Sequence, residues 1–293
     1  MIVTPQPTLF ISGAGGKLGR LVLEQLLARG YSGRIIAGTR QPEELQIAGV
    51  ETRKSDLLDV AGFTAALADV DRLLLISTDA LGETRRTMQA DGVAAARAAG
   101  VKRIVYTSMP HPEPGSAIPM AHDHYPTEQA IKASGLDYTI LRASWYAENL
   151  LGSLPQALKS GKWYTSAGAG RISYLPRVDV ARAAAGALIS DQPGSRVLTV
   201  TGTEAHTIPE IAAIVTEVTG RPLDVVNVTD AEVTAGMVAA GLPQQLAEFL
   251  STFEVGYRQG ALSMVTNAVE ELWGARPQTL RDFLAANRAA LTA

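Results

Sequence analysis

The sequence predicts an α/β fold in which a doubly wound parallel sheet has helices on both faces. Short apolar runs, typical of strands, alternate along the chain with stretches of helical spacing. The run 71–77 (DRLLLIS) is apolar almost throughout, as expected of a strand that helices cover on both sides. The first apolar run enters a glycine-rich turn and then a helix. Because crossovers between parallel strands are right-handed, this repeated βα order puts helices on both faces of one sheet.

The first half of the chain follows this alternation closely. Predicted strands cover 8–12, 34–38, 71–77, 102–107 and 137–141, and another precedes Ser55. Predicted helices cover 17–29 and 127–134, and an alanine-rich helix passes through 93–99. We assign residues 1–150 to the main α/β domain.

After residue 150 the alternation of predicted strands and helices is less regular. Strands are expected at 196–200 and 223–228, and helices at 179–189, 209–219, 230–240 and 243–253. We assign residues 151–293 to a smaller C-terminal α/β lobe that mainly binds substrate, with segments free to return to the main sheet.

The composition narrows the classes of function. The 293 residues are 46% hydrophobic and 19% charged, with a formal net charge of −3, so no basic excess predicts a nucleic-acid or anionic-membrane partner. The chain has no cysteine, which excludes disulfides, thiolate catalysis and cysteine-ligated metals. Residues 1–7 lack the basic region of a secretory signal, and no apolar run reaches the roughly 18 residues of a membrane span. We therefore expect a cytoplasmic protein.

A glycine-rich turn links the first strand to the first helix, with G-x-x-G-x-x-G spacing and one further glycine. Its first glycine permits a tight turn, the middle ones let backbone N–H groups approach a pyrophosphate, and the last lets the helix pack closely on the sheet. The positive end of the helix dipole lies at the same place. Glycine turns also serve packing alone, but the position in the first βαβ unit favours a dinucleotide site. Its residues are Gly13, Ala14, Gly15, Gly16, Lys17, Leu18 and Gly19.

The end of the second strand predicts which dinucleotide binds. Proteins that bind NAD place an acidic residue there for the ribose hydroxyls, whereas this chain has Arg40. A guanidinium pairs well with a 2′-phosphate, so NADPH is the expected cofactor. The alternative is an ordinary surface arginine. Asp56, Ser77 and Thr78 follow two other strands, where they would contact the same cofactor or serve only as strand-end polar groups.

Several longer segments give the chain a family resemblance. They read ISGAGGKLG, DRLLLIST, AAGVKRIVYTS, HDHYPTEQAIKASGLDYTILRASWYAENL and GAGRISYLPRVDVARAAA, and they cover most of residues 8–190. The chain resembles the NmrA-like branch of the atypical short-chain dehydrogenases. Within that branch it is most similar to the bacterial type 2 NAD(P)H:quinone oxidoreductases and, more distantly, to triphenylmethane reductase.

The resemblance implies a Rossmann-like NADPH domain, a small C-terminal domain and an aromatic-lined cleft between them. It also implies two-electron reduction of quinones, with hydride passed directly from the nicotinamide C4. By match to the family pattern, cofactor or cleft positions fall at 13–18, Arg40, Ser77, Thr78, 146–149 and Arg177.

The residues that short-chain dehydrogenases use on alcohols and carbonyls are incomplete here. That chemistry needs a serine and a Tyr-x-x-x-Lys, in which the lysine lowers the tyrosine pKa. Ser108 ends the expected strand near the cofactor, but Tyr125 is followed by Gln129 where the lysine belongs. We therefore interpret Tyr125 as structural and leave the catalytic side chain unassigned, because a quinone accepts hydride from the cofactor without a strong general acid.

The acceptor cleft is predicted just beyond the strand at 137–141. Trp145, Tyr146 and Asn149 lie there, near the expected nicotinamide, and Tyr146 would also touch the cofactor. The alternative is that the two aromatic residues belong to the core. His124 is a fourth candidate for the cleft border, although a local hydrogen bond, for example to Glu128 four residues on, explains it equally well.

A metal site is not expected. His122 and His124 are two residues apart, which does not put them on one helical face, and no third ligand follows from the pattern.

The sequence thus predicts an NADPH-dependent reductase of quinones or similar flat acceptors, without flavin or metal. One alternative is reduction of another conjugated acceptor such as a triphenylmethane dye. Another is a redox sensor of the NmrA type, which binds the dinucleotide and regulates a partner without turnover. The assembly state is left open, with a homodimer as one option.

Overall fold

The computed structural model describes residues 6–292, which form one large parallel sheet and a smaller C-terminal lobe. The strands are β1 (Leu9–Ile11), β2 (Ile35–Thr39), β3 (Glu51–Lys54), β4 (Arg72–Leu75), β5 (Arg103–Ser108), β6 (Asp137–Ala143), β7 (Lys162–Thr165), β8 (Arg171–Ile172), β9 (Arg196–Val200), β10 (His206–Thr207) and β11 (Asp224–Asn227). Seven of them pair in the order β3-β2-β1-β4-β5-β6-β9, all parallel. The predicted doubly wound α/β fold is confirmed.

Twelve helices lie in the described part of the chain. They are α1 (Lys17–Ala28), α2 (Val60–Ala66), α3 (Gly82–Ala98), α4 (Pro119–Ala133), α5 (Leu150–Ser160), α6 (Arg177–Ile189), α7 (Ile208–Thr219), α8 (Asp230–Ala239), α9 (Gln244–Arg258), α10 (Ala268–Trp273), α11 (Leu280–Ala286) and α12 (Arg288–Thr292). Within residues 6–292, no helix is both long and apolar enough to span a bilayer. The expectation about a secretory signal falls mainly on residues 1–5, which lie outside the described residues.

Alternate residues of each central strand face opposite layers of helices. In β1, Leu9 and Ile11 join the apolar cluster formed with α1 and α6. Phe10, between them, joins the cluster formed with α2, α3 and α4. This two-sided burial is the reason that the central strands have nearly continuous apolar sequences.

Two segments beyond residue 150 complete the main sheet. β9 pairs with β6 at the sheet edge, and α6 packs against α1 within one core cluster. The sheet therefore draws on both sides of position 150, whereas the division into domains at that residue stays a prediction.

The remaining elements form a lobe with its own apolar core. β11 pairs in parallel with β7, and β10 pairs antiparallel with β8. Phe253 and Tyr257 of α9 lie in this core together with Met109 and Ile118, which flank the loop after β5. The lobe therefore packs against the carboxyl side of the main sheet, where β5 ends.

Helix α4 begins earlier than its sequence predicts. The predicted helix starts at residue 127, but the observed helix begins at Pro119 and continues through Pro126. A proline at the start of a helix loses no hydrogen bond, whereas one in the interior removes one backbone bond. Burial of Ala121, His124 and Glu128 on one face outweighs that loss.

Candidate cofactor and acceptor site

The site lies where the strand order reverses, between the carboxyl ends of β1 and β4. Hydrogen bonds tie these ends together, since the Ile76 N–H donates to the Ser12 hydroxyl at 2.9 Å. The Ser77 N–H donates to Thr107 Oγ1, also at 2.9 Å. Open α/β sheets bind their ligands in the crevice at such a switch point.

The glycine turn has the backbone geometry that a pyrophosphate requires. Gly13 has φ +64°, and the Gly16 N–H donates to its carbonyl at 3.0 Å. A Cβ on Gly19 would lie 2.4 Å from the Gly13 oxygen, so only glycine lets α1 start this close to the turn. No side chain caps the N-terminus of α1, and its first turn has no acidic residue. Its N–H groups and dipole therefore suit an anion.

Two cations lie at the end of the crevice predicted for the 2′-phosphate. Arg40 directly follows β2, is exposed and forms no ion pair with the described residues. Lys54, at the end of β3, is in register with Thr39, at the end of β2. Thr39 Oγ1 would lie 3.0 Å from a Cβ on Gly15, so this end of β2 is close to the glycine turn. Lys54 and Arg40 therefore lie at the ends of neighbouring strands, at the same edge of the sheet. Lys54 could not be predicted from the sequence, because only strand register shows this proximity.

Two further predicted cofactor residues follow neighbouring strands. Asp56 follows β3, and its Oδ1 accepts a hydrogen bond from the Leu58 N–H at 3.0 Å. Thr78 follows β4, and its buried hydroxyl has no hydrogen-bond partner among residues 6–292. A buried hydroxyl without a partner is costly. A polar ligand edge would satisfy it, so the residues present fit a dinucleotide.

Ser108, also predicted to contact the cofactor, is bonded to another group. Its hydroxyl donates to Glu128 Oε1 at 2.7 Å, and Glu128 has no exposed surface. Tyr125 is half-buried, and Gln129 is exposed where a lysine would be needed. The arrangement thus differs from the Ser–Tyr–Lys geometry that carbonyl chemistry needs.

Tyr146 and Arg177, both predicted site residues, contact each other beyond the end of β6. The Arg177 guanidinium lies 4.8 Å from the Tyr146 ring centroid, in cation–π contact. Burial raises the pKa of Tyr146 to about 12, although the charge of Arg177 opposes this shift. Glu148 holds the Arg177 backbone N–H at 3.0 Å, and Tyr146 pairs with Leu175 in an isolated bridge. The hydroxyl therefore stays neutral and is held beside a cation.

Trp145 and Tyr146 belong to different layers, because successive residues of an extended segment point in opposite directions. Tyr146 packs against the cluster that contains Ala14 and Leu18 of the glycine turn region. Trp145 packs against the lobe core, with its ring 4.1 Å from that of Phe253. Asn149 is exposed at the end of a short 3₁₀ turn. The predicted cleft residues thus lie on both sides of the lobe boundary.

His124 is an interior residue with a local hydrogen-bond network, and its place at the cleft border stays a prediction. It is 3% exposed, with Nδ1 2.9 Å from the Tyr106 hydroxyl and Nε2 3.1 Å from Arg85 Nη2. Burial, together with the charge of Arg85, holds the pKa of His124 well below its ordinary value. Its predicted alternative partner Glu128 bonds to Ser108 and Arg142 instead.

Metal ligands do not cluster in the described part of the chain. His122 is exposed and His124 is buried, so the two rings lie on different faces of α4. No group of three His, Cys, Asp or Glu side chains within residues 6–292 could hold an ion.

Together, the strand order and the glycine turn define an α/β protein of the dinucleotide-binding class. A model of the NAD(P)H-binding family matches residues 13–191, and the chain belongs to that family.

Known proteins agree with this assignment over almost the whole chain. Quinone oxidoreductase 2 of Escherichia coli is 36% identical over 275 residues, covering 93% of this chain and 96% of that protein. The crystal structure of an Escherichia coli NADPH-dependent quinone oxidoreductase with NADPH matches with a TM-score of 0.89 at 35% identity, covering 98% and 100% of the two chains. Citrobacter sp. triphenylmethane reductase with NADP(H) matches with a TM-score of 0.88 at 31% identity, covering 96% and 100%. The resemblance inferred from the motifs and the NAD(P)H cofactor are confirmed.

Proposed function

We propose that the protein is an NADPH-dependent reductase that transfers hydride to quinones or similar flat conjugated acceptors. The observation that carries this proposal is that the glycine turn and the aromatic residues Trp145 and Tyr146 lie at the same edge of the sheet. The glycine turn shares an apolar cluster with Tyr146, and Trp145 faces the lobe directly beside it. A flat acceptor between nicotinamide and aromatic side chains would be aligned for direct transfer.

The preference for NADPH is argued from charge. Arg40 and Lys54 lie at the ends of adjacent strands, and neither forms an ion pair with the described residues. The 2′-phosphate would supply the anion for both. The glycine turn holds the pyrophosphate, while Thr78 and Arg177 lie toward the nicotinamide end. The cofactor supplies the hydride, and the protein's contribution is orientation and exclusion of water.

The hydrogen bond from Ser108 to Glu128 favours quinones over simple ketones as substrates. The Ser108 hydroxyl donates its hydrogen bond to Glu128, and no lysine lies four residues after Tyr125 to lower the tyrosine pKa. Reduction of an isolated carbonyl needs a proton donor for the alkoxide, whereas a quinone yields a stabilised aromatic anion. All the site residues named above stay predictions, as do the cytoplasmic location and the homodimer.

The test is consumption of NADPH by the purified protein with 1,4-benzoquinone, followed by near-ultraviolet absorbance. We expect rapid oxidation with the quinone and a much slower rate with a ketone such as cyclohexanone. A parallel assay with crystal violet tests the alternative that the protein reduces triphenylmethane dyes, which the similarity to triphenylmethane reductase suggests. Tight NADPH binding without turnover of either acceptor would favour the redox sensor instead.

A further inference from the structure

Arg85 is a buried cation that forms no ion pair with residues 6–292. It lies in the second turn of α3 and is 4% exposed. Its guanidinium makes one hydrogen bond with the described residues, from Nη2 to His124 Nε2 at 3.1 Å. Its Nε is buried and has no partner among residues 6–292.

The other buried or half-buried arginines show what is unusual about Arg85. Arg103 is 8% exposed, but its two Nη atoms donate to the carbonyl oxygens of Ser190 and Gln192. Arg142 bonds through two nitrogens to the Glu128 carboxylate. Within the described part of the chain, Arg85 bonds to neither a carboxylate nor a carbonyl oxygen. Burying a charge without compensation is costly, so this position has a use for the charge.

A chain of hydrogen bonds holds the guanidinium in place. Because an arginine only donates, His124 Nε2 must accept, and the ring proton lies on Nδ1. Nδ1–H then donates to the Tyr106 hydroxyl at 2.9 Å. Tyr106 has no exposed surface, so this chain links α3 through α4 to the central strand β5. A buried neutral imidazole is therefore fixed in one tautomer, with its acceptor turned to Arg85.

The charge of Arg85 lies on the acceptor side of the molecule. Helix α3 begins at Gly82, four residues after Thr78, and Arg85 is its fourth residue. A helix that follows a strand of a parallel sheet begins at the carboxyl edge, so Arg85 lies near the edge where the acceptor cleft is predicted. The charge of Arg85 also opposes the burial that raises the pKa of Tyr146.

We infer that Arg85 is the anion-recognising residue of the acceptor site, with His124 and Tyr106 as its positioning residues. This inference rests on the proposed function. Hydride transfer from NADPH delivers two electrons and one proton to the quinone, leaving NADP⁺ and a hydroquinone monoanion. The negative oxygen of that anion is stabilised by the guanidinium, and a proton from solvent then completes the hydroquinone.

The first experiment compares Arg85→Met with Arg97→Met, an exposed arginine on the same helix. With 1,4-benzoquinone we expect Arg85→Met to lower kcat roughly 100-fold, as loss of an oxyanion donor does, and Arg97→Met to leave it unchanged. The Kd for NADPH should be the same in all three proteins. Arg85→Lys, which keeps a cation, should restore part of the rate. An unchanged kcat in Arg85→Met would overturn the inference.

The second experiment does not depend on turnover, so it separates this inference from the proposed function. The probe is 4-nitrophenol, whose phenolate is yellow and resembles the hydroquinone anion, titrated against the protein loaded with NADP⁺. We expect the wild-type protein to lower the apparent pKa of the bound phenol and Arg85→Met to abolish that shift. Equal shifts in the two proteins would reject the anion site even if quinone turnover is found. A wild-type shift without quinone turnover would reject the proposed function and retain the site.

Discussion

Glu128 and Arg142 form a two-point ion pair inside the molecule. Arg142 Nε lies 2.9 Å from Glu128 Oε1, and Nη2 lies 2.7 Å from Oε2. Glu128 is fully buried, and it also accepts the Ser108 hydroxyl. Glu113, in the loop before α4, bonds to Arg142 from the outer side at 2.8 Å. The pair thus fixes α4, β6 and this loop to one another beside the cofactor site.

Removing Arg142 should leave the buried Glu128 carboxylate with one cation, Lys132, whose Nζ lies 3.5 Å from Oε2. We expect Arg142→Met to lower the free energy of unfolding by up to about 3–5 kcal/mol, because Glu128 has no exposed surface and loses its two-point partner. Urea denaturation measures the change. Arg196→Met, which removes a half-exposed partner of Glu271, should cost less than about 1 kcal/mol. Equal losses of stability in the two variants would contradict the claim that burial of Glu128 makes its ion pair more costly to break.

Tyr125→Phe should leave quinone reduction nearly unchanged. A general acid contributes roughly 10²–10⁴-fold to a rate, and the neighbours of Tyr125 do not equip it for that role. Gln129 replaces the lysine, and Ser108 already donates to Glu128. Steady-state kcat with 1,4-benzoquinone is the measurement. A fall within the range of a general acid would show that this tyrosine takes part in the chemistry.

Gly19→Ala should disrupt the turn that holds the pyrophosphate. The new methyl group would lie 2.4 Å from the Gly13 oxygen, so the turn must shift, which costs about 1–3 kcal/mol of stability and weakens NADPH binding. Gly152→Ala is the matched control, since Gly152 lies in α5 with no atom within 4 Å of a new Cβ. It should raise stability by about 0.5–1 kcal/mol. Calorimetric titration with NADPH should separate the two variants.

Arg40→Met should change the choice between cofactors. Losing a charge-assisted bond to the 2′-phosphate weakens NADPH binding by roughly 10- to 100-fold, whereas NADH has no such phosphate. We expect Lys54→Met to act in the same direction with a smaller effect. Dissociation constants for both cofactors, measured by fluorescence titration, provide the check. Parallel losses for NADH and NADPH would reject the assignment of Arg40.

His124 should make stability depend on pH near neutrality. Its native pKa lies well below the ordinary value of 6.5, so the unfolded chain binds a proton that the native protein does not. The free energy of unfolding should therefore fall as the pH drops below about 6.5, by up to about 1.4 kcal/mol per pH unit. In His124→Gln this dependence should be absent, whereas the exposed His122 changed to glutamine should retain it. Urea unfolding at several pH values above about 5.5 measures it.

Local sequence patterns predicted the elements whose conformation depends on neighbouring residues. The strand at 196–200 follows from an apolar run, and the turn at 13–19 follows from glycine spacing; the structure has both. The interior polar contacts could not be predicted in this way. Arg85 meets His124 across 39 residues, and only helix packing decides which of two neighbouring arginines turns inward. The early start of α4 was not predicted for a related reason, since the burial that stabilises the helix from Pro119 through Pro126 is a tertiary property.

The closure of the main sheet by β9 and α6 affects how the chain folds as it is synthesised. When residue 150 leaves the ribosome, one edge of β6 and the inner face of α1 still lack their partners. At about 5–20 residues per second, the next 50 residues take about 3–10 s. Throughout that interval an unpaired parallel edge is available to other nascent chains. Because the edge strand β9 is synthesised after part of the C-terminal lobe, the folding of the nucleotide-binding sheet depends on residues beyond that part of the lobe.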